Sequence, residues 1–395
     1  MSSSSEASVA HSINLLEGVP ELPYVKGFKV QIQQHHAPDP YGAVIYEDHF
    51  VMGKKCLPET PLAEAVLRIP PREAPTGASP TDSRPGTAEL EILEVIAGGD
   101  GNEAQVVRCK VYRRAIGSSR QRQAAFEAVA KIYDPLYYHL YRLDPHLDCC
   151  TMHKADTHYT SEVAAYEAFQ NARFPTGGTF TPQYYGSWTF TLAHPRPKGF
   201  SAKAGEDQAA PLHRHVRLIL IEYLDGCSLQ DLMYDENYEY VETVRDTYHE
   251  SYRLFVWAKI LEAIVFVEDA GLVRNDDAPR NVMLVPRPKK FVPLSEQQQP
   301  RVVFIDYNLS TVVSKLAEPY RYPYTDTCHD LPDNPLQKWW TGGACDYRGW
   351  VPEWYETDEE RRGEWLLQHF GREKLANYAP LYDNGALPPK VFETK

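Results

Sequence analysis

The sequence predicts an α+β protein with a β-rich lobe followed by a larger helical lobe. Three observations predict it. Between Ala88 and Leu224, short apolar stretches separated by Gly and polar turns repeat at strand length. From Val241 to Ala270, Trp257, Ile260, Leu261, Ile264 and the Phe266/Val267 pair recur at helical spacing. Beyond that helix only one short hairpin, "VML…VVFID", interrupts sequence rich in Trp, Tyr and Pro. Strands first and helices afterwards is the pattern of segregated layers.

Taken in order, residues 1–69 read as an N-terminal extension. They are largely polar, with strand-like pieces "FKVQIQ" and "AVIYEDHFV". Residues 70–88 are rich in Pro, Ser, Thr and Gly and read as a linker. Residues 89–224 hold the strands. "AELEILEVI" and "AQVVRCKVYRR" form a hairpin across a Gly-containing turn, and "FEAVAKIYD" is a third strand. "TSEVAAYEAFQNA" is a helix with Thr160 or Ser161 as its cap. "TPQYYGSWTF" and "VRLILIEYL" are strands, with a polar surface insertion between them. Residues 225–395 make the helical part.

Composition narrows the function classes. Hydrophobic residues make up 43% of the 395, enough for a substantial core. The formal net charge of −13 argues against a nucleic-acid surface, because phosphate backbones are bound by excess Lys and Arg. A nucleotide, needing only a few local cations and a metal, stays open. No stretch reaches the roughly 18 apolar residues of a membrane span. Seven scattered cysteines and a polar start, "MSSSSEASVAHSINLLEG", predict a reduced intracellular protein, cytoplasmic or nuclear.

Several stretches have both a plain and a chemical reading. "GGDGNEAQVV" is by itself a hairpin turn, but glycines there also let backbone N–H groups approach phosphate oxygens. Lys131 lies inside the apolar strand "AVAKIYD". It either snorkels to the surface or meets an anion, which Glu162 or Glu167 of the next helix can supply. Asp306 ends the apolar strand "VFIDYN", as a turn residue or facing a cavity. With Asp276 and Asn281 of "GLVRNDDAPRNVML" it offers oxygen atoms suited to Mg2+. "HLDCCTMHKADTH" carries His and Cys without paired zinc spacing, and reads as surface loop plus buried thiols. The five tryptophans from Trp339 to Trp365 read as core.

The order of these pieces resembles the motif set of the protein-kinase-like fold, nearer its divergent fungal and aminoglycoside-phosphotransferase-type branch. The resemblance covers roughly Leu90 to Leu309. It implies two lobes: a small antiparallel β-rich lobe with one helix, and a larger helical lobe. The glycine loop is matched by Gly99, Gly101, Ala104 and Val106, with alanine for the third glycine. Lys131 corresponds to the phosphate-holding lysine, and Glu162 to its helix partner, with Glu167 as second choice. Glu222, Tyr223 and Leu224 correspond to the hinge that meets an adenine. Arg274, Asn275, Asp276 and Asn281 match the catalytic loop, and Asp306, Tyr307 and Asn308 match the metal-binding triplet.

The resemblance implies ATP and Mg2+ as cofactors and transfer of the γ-phosphoryl group to a hydroxyl of a protein or small molecule. Asp276 would orient the acceptor and take its proton, while Asn281 and Asp306 would hold metal. Asn308 in the glycine position is expected to adopt the left-handed conformation. Three departures stand out: Arg274 replaces a histidine, Ala278 replaces a lysine, and no A-P-E-like segment follows Asp306. They keep a second implication open, a catalytically weak or inactive pseudokinase that binds nucleotide or acts as a scaffold.

Overall fold

A computed structural model of the chain describes residues 16–41, 46, 61–75, 86–99, 102–113, 125–138, 151–173, 177–197, 200, 212–235, 239, 241, 244–321, 331–382 and 387. The chain divides into two compact units. One comprises Met1–Val163 and Tyr184–Tyr223, the other Ala164–Gln183 and Leu224–Lys395.

The first unit is built on six strands: β1 (Lys29–Gln34), β2 (Thr87–Ala97), β3 (Gln105–Arg113), β4 (Phe126–Tyr133), β5 (Tyr184–His194) and β6 (Leu212–Ile221). They close in the order β1-β2-β3-β4-β6-β5, every neighbouring pair antiparallel. Alternation along each strand sends one set of side chains inward. Ile32, Leu90, Ile92, Val107, Cys109, Val111, Ala128, Ala130, Ile132, Phe190 and Leu218 fill the interior. The opposite set, which includes Lys131 and Arg217, faces outward.

A short helix, α1 (Leu62–Arg68), and a long one, α2 (Thr151–Asn171), accompany the strands. The sequence places the start of α2 at Thr160, but the helix is already formed at Thr151. Met152, Ala155, Tyr159, Val163 and Tyr166 are buried along it at three- and four-residue spacing. Intervening His, Lys and Asp residues obscure that stripe. Thr160 is no cap; its Oγ1 donates back to the Asp156 carbonyl at 2.9 Å.

The expected fold class needs correction. In place of a two-lobed kinase-like arrangement with a small antiparallel β-rich lobe and a larger helical lobe, the strands form a closed antiparallel barrel. The cause is β1, from the segment read as an extension. Lys29 to Gln33 pair with Glu91 to Thr87, while Gln33 and Gln34 pair with Thr189 and Trp188. One strand thus covers the two edges that β2 and β5 would otherwise expose, and closure removes both. With only Val30 and Ile32 apolar, and a linker before β2, its sequence gives little indication of this pairing.

The second unit is also less helical than expected. Of the helices lying wholly within it among the described residues, α3 (Glu250–Asp269) has 20 residues and α4 (Glu359–Phe370) has 12. The other α-helices have four or five, and the 3-10 turns three or six. Small sheets take up the rest of the regular structure. β7 (Cys227–Ser228), β9 (Val282–Val285) and β10 (Arg301–Phe304) form one, and β8 (Leu272–Val273) with β11 (Thr311–Val312) another. Gly226 is required where β7 approaches β9, because a Cβ there would collide with the Leu284 carbonyl. Trp257 on α3 is fully buried among Trp339, Tyr347 and Tyr355, and Trp340, Trp350 and Trp365 are buried too. No helix among the described residues is long and apolar enough to cross a membrane.

Candidate functional site

The barrel unit holds the Lys131 cluster. Strand register puts Lys131 opposite Val106 on β3 and Ile219 on β6. Lys131 is 7% exposed and Glu162, on α2, is fully buried. Lys131 Nζ donates to Glu162 Oε2 at 2.6 Å. A lysine at this depth requires an anion, and of the two expected carboxylates Glu162 supplies it. Tyr133, also outward-facing on β4, donates its hydroxyl to the same Oε2 at 2.5 Å. Sequence reasoning passed over Tyr133. The indication was present: in "KIY", Lys131 and Tyr133 are two apart on a strand and so share a face.

The glycine turn lies between β2 and β3. Gly99 adopts φ 87°, in the region that favours glycine. Its N–H donates to Gln105 Oε1 at 2.8 Å, and Asn102 Nδ2 donates to the Gly98 carbonyl at 3.0 Å. A phosphate taking the Gly99 N–H would therefore displace the Gln105 side chain. Ala104 is half-buried in the same turn, and Gly101 lies outside the described residues. Glu103 ties the turn to α2, pairing with Lys154 and, at 3.1 Å, with His158 Nδ1. Burial pushes its carboxyl up, but His158 and then Lys154 outweigh this and bring it down to about 2.

Glu222 and Tyr223 leave β6 as irregular, half-buried chain. The Arg108 guanidinium sits over the Tyr223 ring at 4.3 Å. Leu224 begins the return of the chain into the second unit, its carbonyl accepting from the Gly226 N–H at 3.0 Å.

The second unit holds the acidic loops. Asn281 immediately precedes β9 and Asp306 closely follows β10, so both flank one end of that hairpin. The Ile305 N–H donates to the Asn281 carbonyl at 2.9 Å and joins the two loops. Asn281 is 4% exposed, and its Nδ2 donates to the Asp276 carbonyl at 3.3 Å. Asp276 turns its carboxylate to Arg280, whose Nη2 lies 2.6 Å from Oδ2, and accepts the Ala278 N–H at 3.3 Å on Oδ1. The left-handed conformation expected at Asn308 occurs at Asp306 instead, with φ 62°. Asp also tolerates this region, because its short side chain can bond locally.

Arg274 explains how the loop accommodates a larger cation. Its side chain is nearly buried, with the guanidinium 4.1 Å from the Phe304 ring and 5.0 Å from the Tyr307 ring. Nε donates to Asp277 Oδ1 at 2.6 Å and Nη2 to the Asp276 carbonyl at 2.9 Å. Burial opposes the charge, but Tyr307 and Asp277 outweigh it and hold the guanidinium charged. The hydroxyl of Tyr347 adds a 2.5 Å bond to the Asp277 carbonyl. Arg274 therefore fastens the loop that carries Asp276.

Two loops bearing an amide and a carboxylate fit Mg2+, which takes oxygen ligands and commonly only one or two carboxylates beside phosphate and water. With its Nδ2 donating to the Asp276 carbonyl, the Asn281 amide keeps its oxygen as an acceptor, the atom type Mg2+ takes. Among the described residues no group of three or more His, Cys, Asp and Glu side chains could hold a metal ion. Compared with known proteins, the chain matches no family model and no curated sequence at a significant level.

Proposed function

We propose that the chain is an ATP- and Mg2+-dependent phosphotransferase acting on a hydroxyl of a protein or small molecule. The observation that carries the proposal is the grouping of Asp276, Asn281 and Asp306 on hydrogen-bonded loops at one end of the β9–β10 hairpin. The buried Lys131–Glu162 pair supports it, since a desolvated ammonium is the kind of group that holds phosphate oxygens. The order of these residues along the chain supports it as well.

Mg2+ held by Asn281 and Asp306 would neutralise phosphate charge. Asp276 orients the acceptor hydroxyl and takes its proton as the new O–P bond forms and the terminal P–O bond of ATP breaks, with ADP leaving. Within the barrel unit, Lys131, oriented by Glu162, offers an ammonium of the kind that holds phosphate oxygens. Asn281 and Arg274 both hold the Asp276 carbonyl, so the carboxylate starts from a fixed backbone. The buried free thiols of Cys109 and Cys227 agree with a reduced intracellular compartment, which we include in the proposal.

One observation favours the rival reading, a nucleotide-binding protein without turnover. Arg280 already occupies an oxygen of the Asp276 carboxylate. A comparison of Mg·ATP turnover between wild type and Asp276→Asn and Asp306→Ala separates the two. Turnover in wild type that the variants lose supports the enzyme. Mg·ATP-dependent thermal stabilisation that is lost in Lys131→Ala, without turnover in wild type, supports the rival.

A further inference from the structure

Glu162 Oε2 receives two donors, the Lys131 ammonium at 2.6 Å and the Tyr133 hydroxyl at 2.5 Å. Tyr133 is 2% exposed. A buried carboxylate oxygen held from two directions has its rotation fixed, whereas one donor leaves it freer to turn. The Tyr133 ring stands edge-on to Tyr159, with centroids 5.5 Å apart and planes at 65°. Tyr159 lies one helical turn before Glu162 on α2 and shares its face.

The chain of contacts continues to the strand that closes the barrel. The Tyr159 hydroxyl lies 2.6 Å from His35 Nδ1, and His35 Nε2 lies 3.1 Å from Glu73 Oε2. His35 follows β1 directly and is bound to β5 through its backbone. Its N–H donates to the Ser187 carbonyl at 3.0 Å, and its own carbonyl accepts from Ser187 Oγ at 2.6 Å. The backbone that carries the imidazole is thus fixed against β5, and the ring meets α2 at Tyr159, one turn before Glu162.

We propose that Tyr133 is a positioning residue for the Lys131–Glu162 pair, and that β1 buttresses the pair through His35 and Tyr159. A strand that closes a barrel would then also orient a phosphate-holding lysine. An open sheet without β1 would leave this face of α2 without the His35 contact. The kinetic part of the inference rests on the phosphotransferase reading, while the geometric part stands without it.

The test is a stability cycle between Lys131→Met and Glu162→Gln, measured by urea unfolding in three backgrounds: wild type, Tyr133→Phe and Tyr159→Phe. Both background changes remove one hydroxyl and keep the ring. The expected result is that Lys131–Glu162 coupling falls by about half or more in Tyr133→Phe, and in the same direction but less in Tyr159→Phe. A merely structural tyrosine would lower all midpoints together and leave the coupling unchanged, and that result overturns the proposal.

A second readout is the KM for Mg·ATP, expected to rise by about tenfold in Tyr133→Phe with kcat changed less. Adding Tyr133→Phe to Glu162→Gln is expected to raise KM no further. An additive rise overturns the positioning role. Absence of Mg·ATP turnover in wild type would sink the phosphotransferase reading instead, and the stability cycle would still decide the role of Tyr133.

Discussion

Arg280 Nη2 lies 2.6 Å from Asp276 Oδ2, pairing a half-exposed guanidinium with the carboxylate that would take the acceptor's proton. Such a pair at the surface contributes only about 0–1 kcal/mol, so a substrate can separate it at little cost. Its partner residue is then free to follow the phosphate charge. Arg280→Gln is predicted to change stability by less than about 1 kcal/mol. In steady-state assays with Mg·ATP it is predicted to lower kcat by about tenfold or more. A variant with unchanged or higher kcat would show that Arg280 only blocks Asp276.

Barrel closure makes Ile32 a core residue. It is 1% exposed and packs among the inward side chains of the other strands. Ile32→Ala is predicted to cost about 2–5 kcal/mol in urea unfolding, as for other large-to-small changes in a filled core. The neighbouring outward change Gln31→Ala is predicted to stay within about 0.5 kcal/mol. Equal and small effects at both positions would mean that β1 does not close the sheet.

His35 is held down to about 4, first by burial and then by the Arg217 charge, with Glu73 opposing and His36 adding slightly. An unfolded histidine titrates near 6.5, at about the ordinary value. The folded state therefore binds the proton less readily than the unfolded state. The contribution is complete above about pH 6.5 and is lost as pH falls toward 4. Urea midpoints followed across this range should fall more steeply for wild type than for His35→Gln. Parallel curves would remove His35 from the acid response.

Asp306 separates stability from chemistry. At φ 62°, glycine relieves strain that alanine increases. Asp306→Gly is predicted to be about 1 kcal/mol more stable than Asp306→Ala, a comparison in which the loss of the carboxylate cancels. Both are predicted to lose Mg·ATP turnover, since neither keeps a carboxylate. Turnover surviving in either one would exclude Asp306 as a metal ligand.

Much of the local structure was legible because it rests on short-range pattern. The β2–β3 hairpin, the buried stripe of α3 and the β9–β10 hairpin follow from alternation and helical spacing. That Lys131 has a carboxylate partner followed from the need of a buried ammonium for an anion, which left Glu162 and Glu167 open, and the motif resemblance put Glu162 first. What escaped depends on distant pairing. β1 has two apolar residues and no local feature that names β2 and β5 as its neighbours. The left-handed residue was placed at Asn308 by motif position, but the bend after β10 falls at Asp306. Arg274 stood in sequence only as a departure from the motif's histidine, and the structure gives it Asp277 and two aromatic faces.

The most direct measurement is transfer of labelled γ-phosphate from Mg·ATP, either to water or to a panel of hydroxyl acceptors, by wild type and Asp276→Asn. Asparagine keeps the shape of the side chain and removes the base. The predicted result is measurable turnover in wild type and a loss of about a hundredfold or more in the variant. Equal rates in the two proteins, or none in either, would contradict the phosphotransferase.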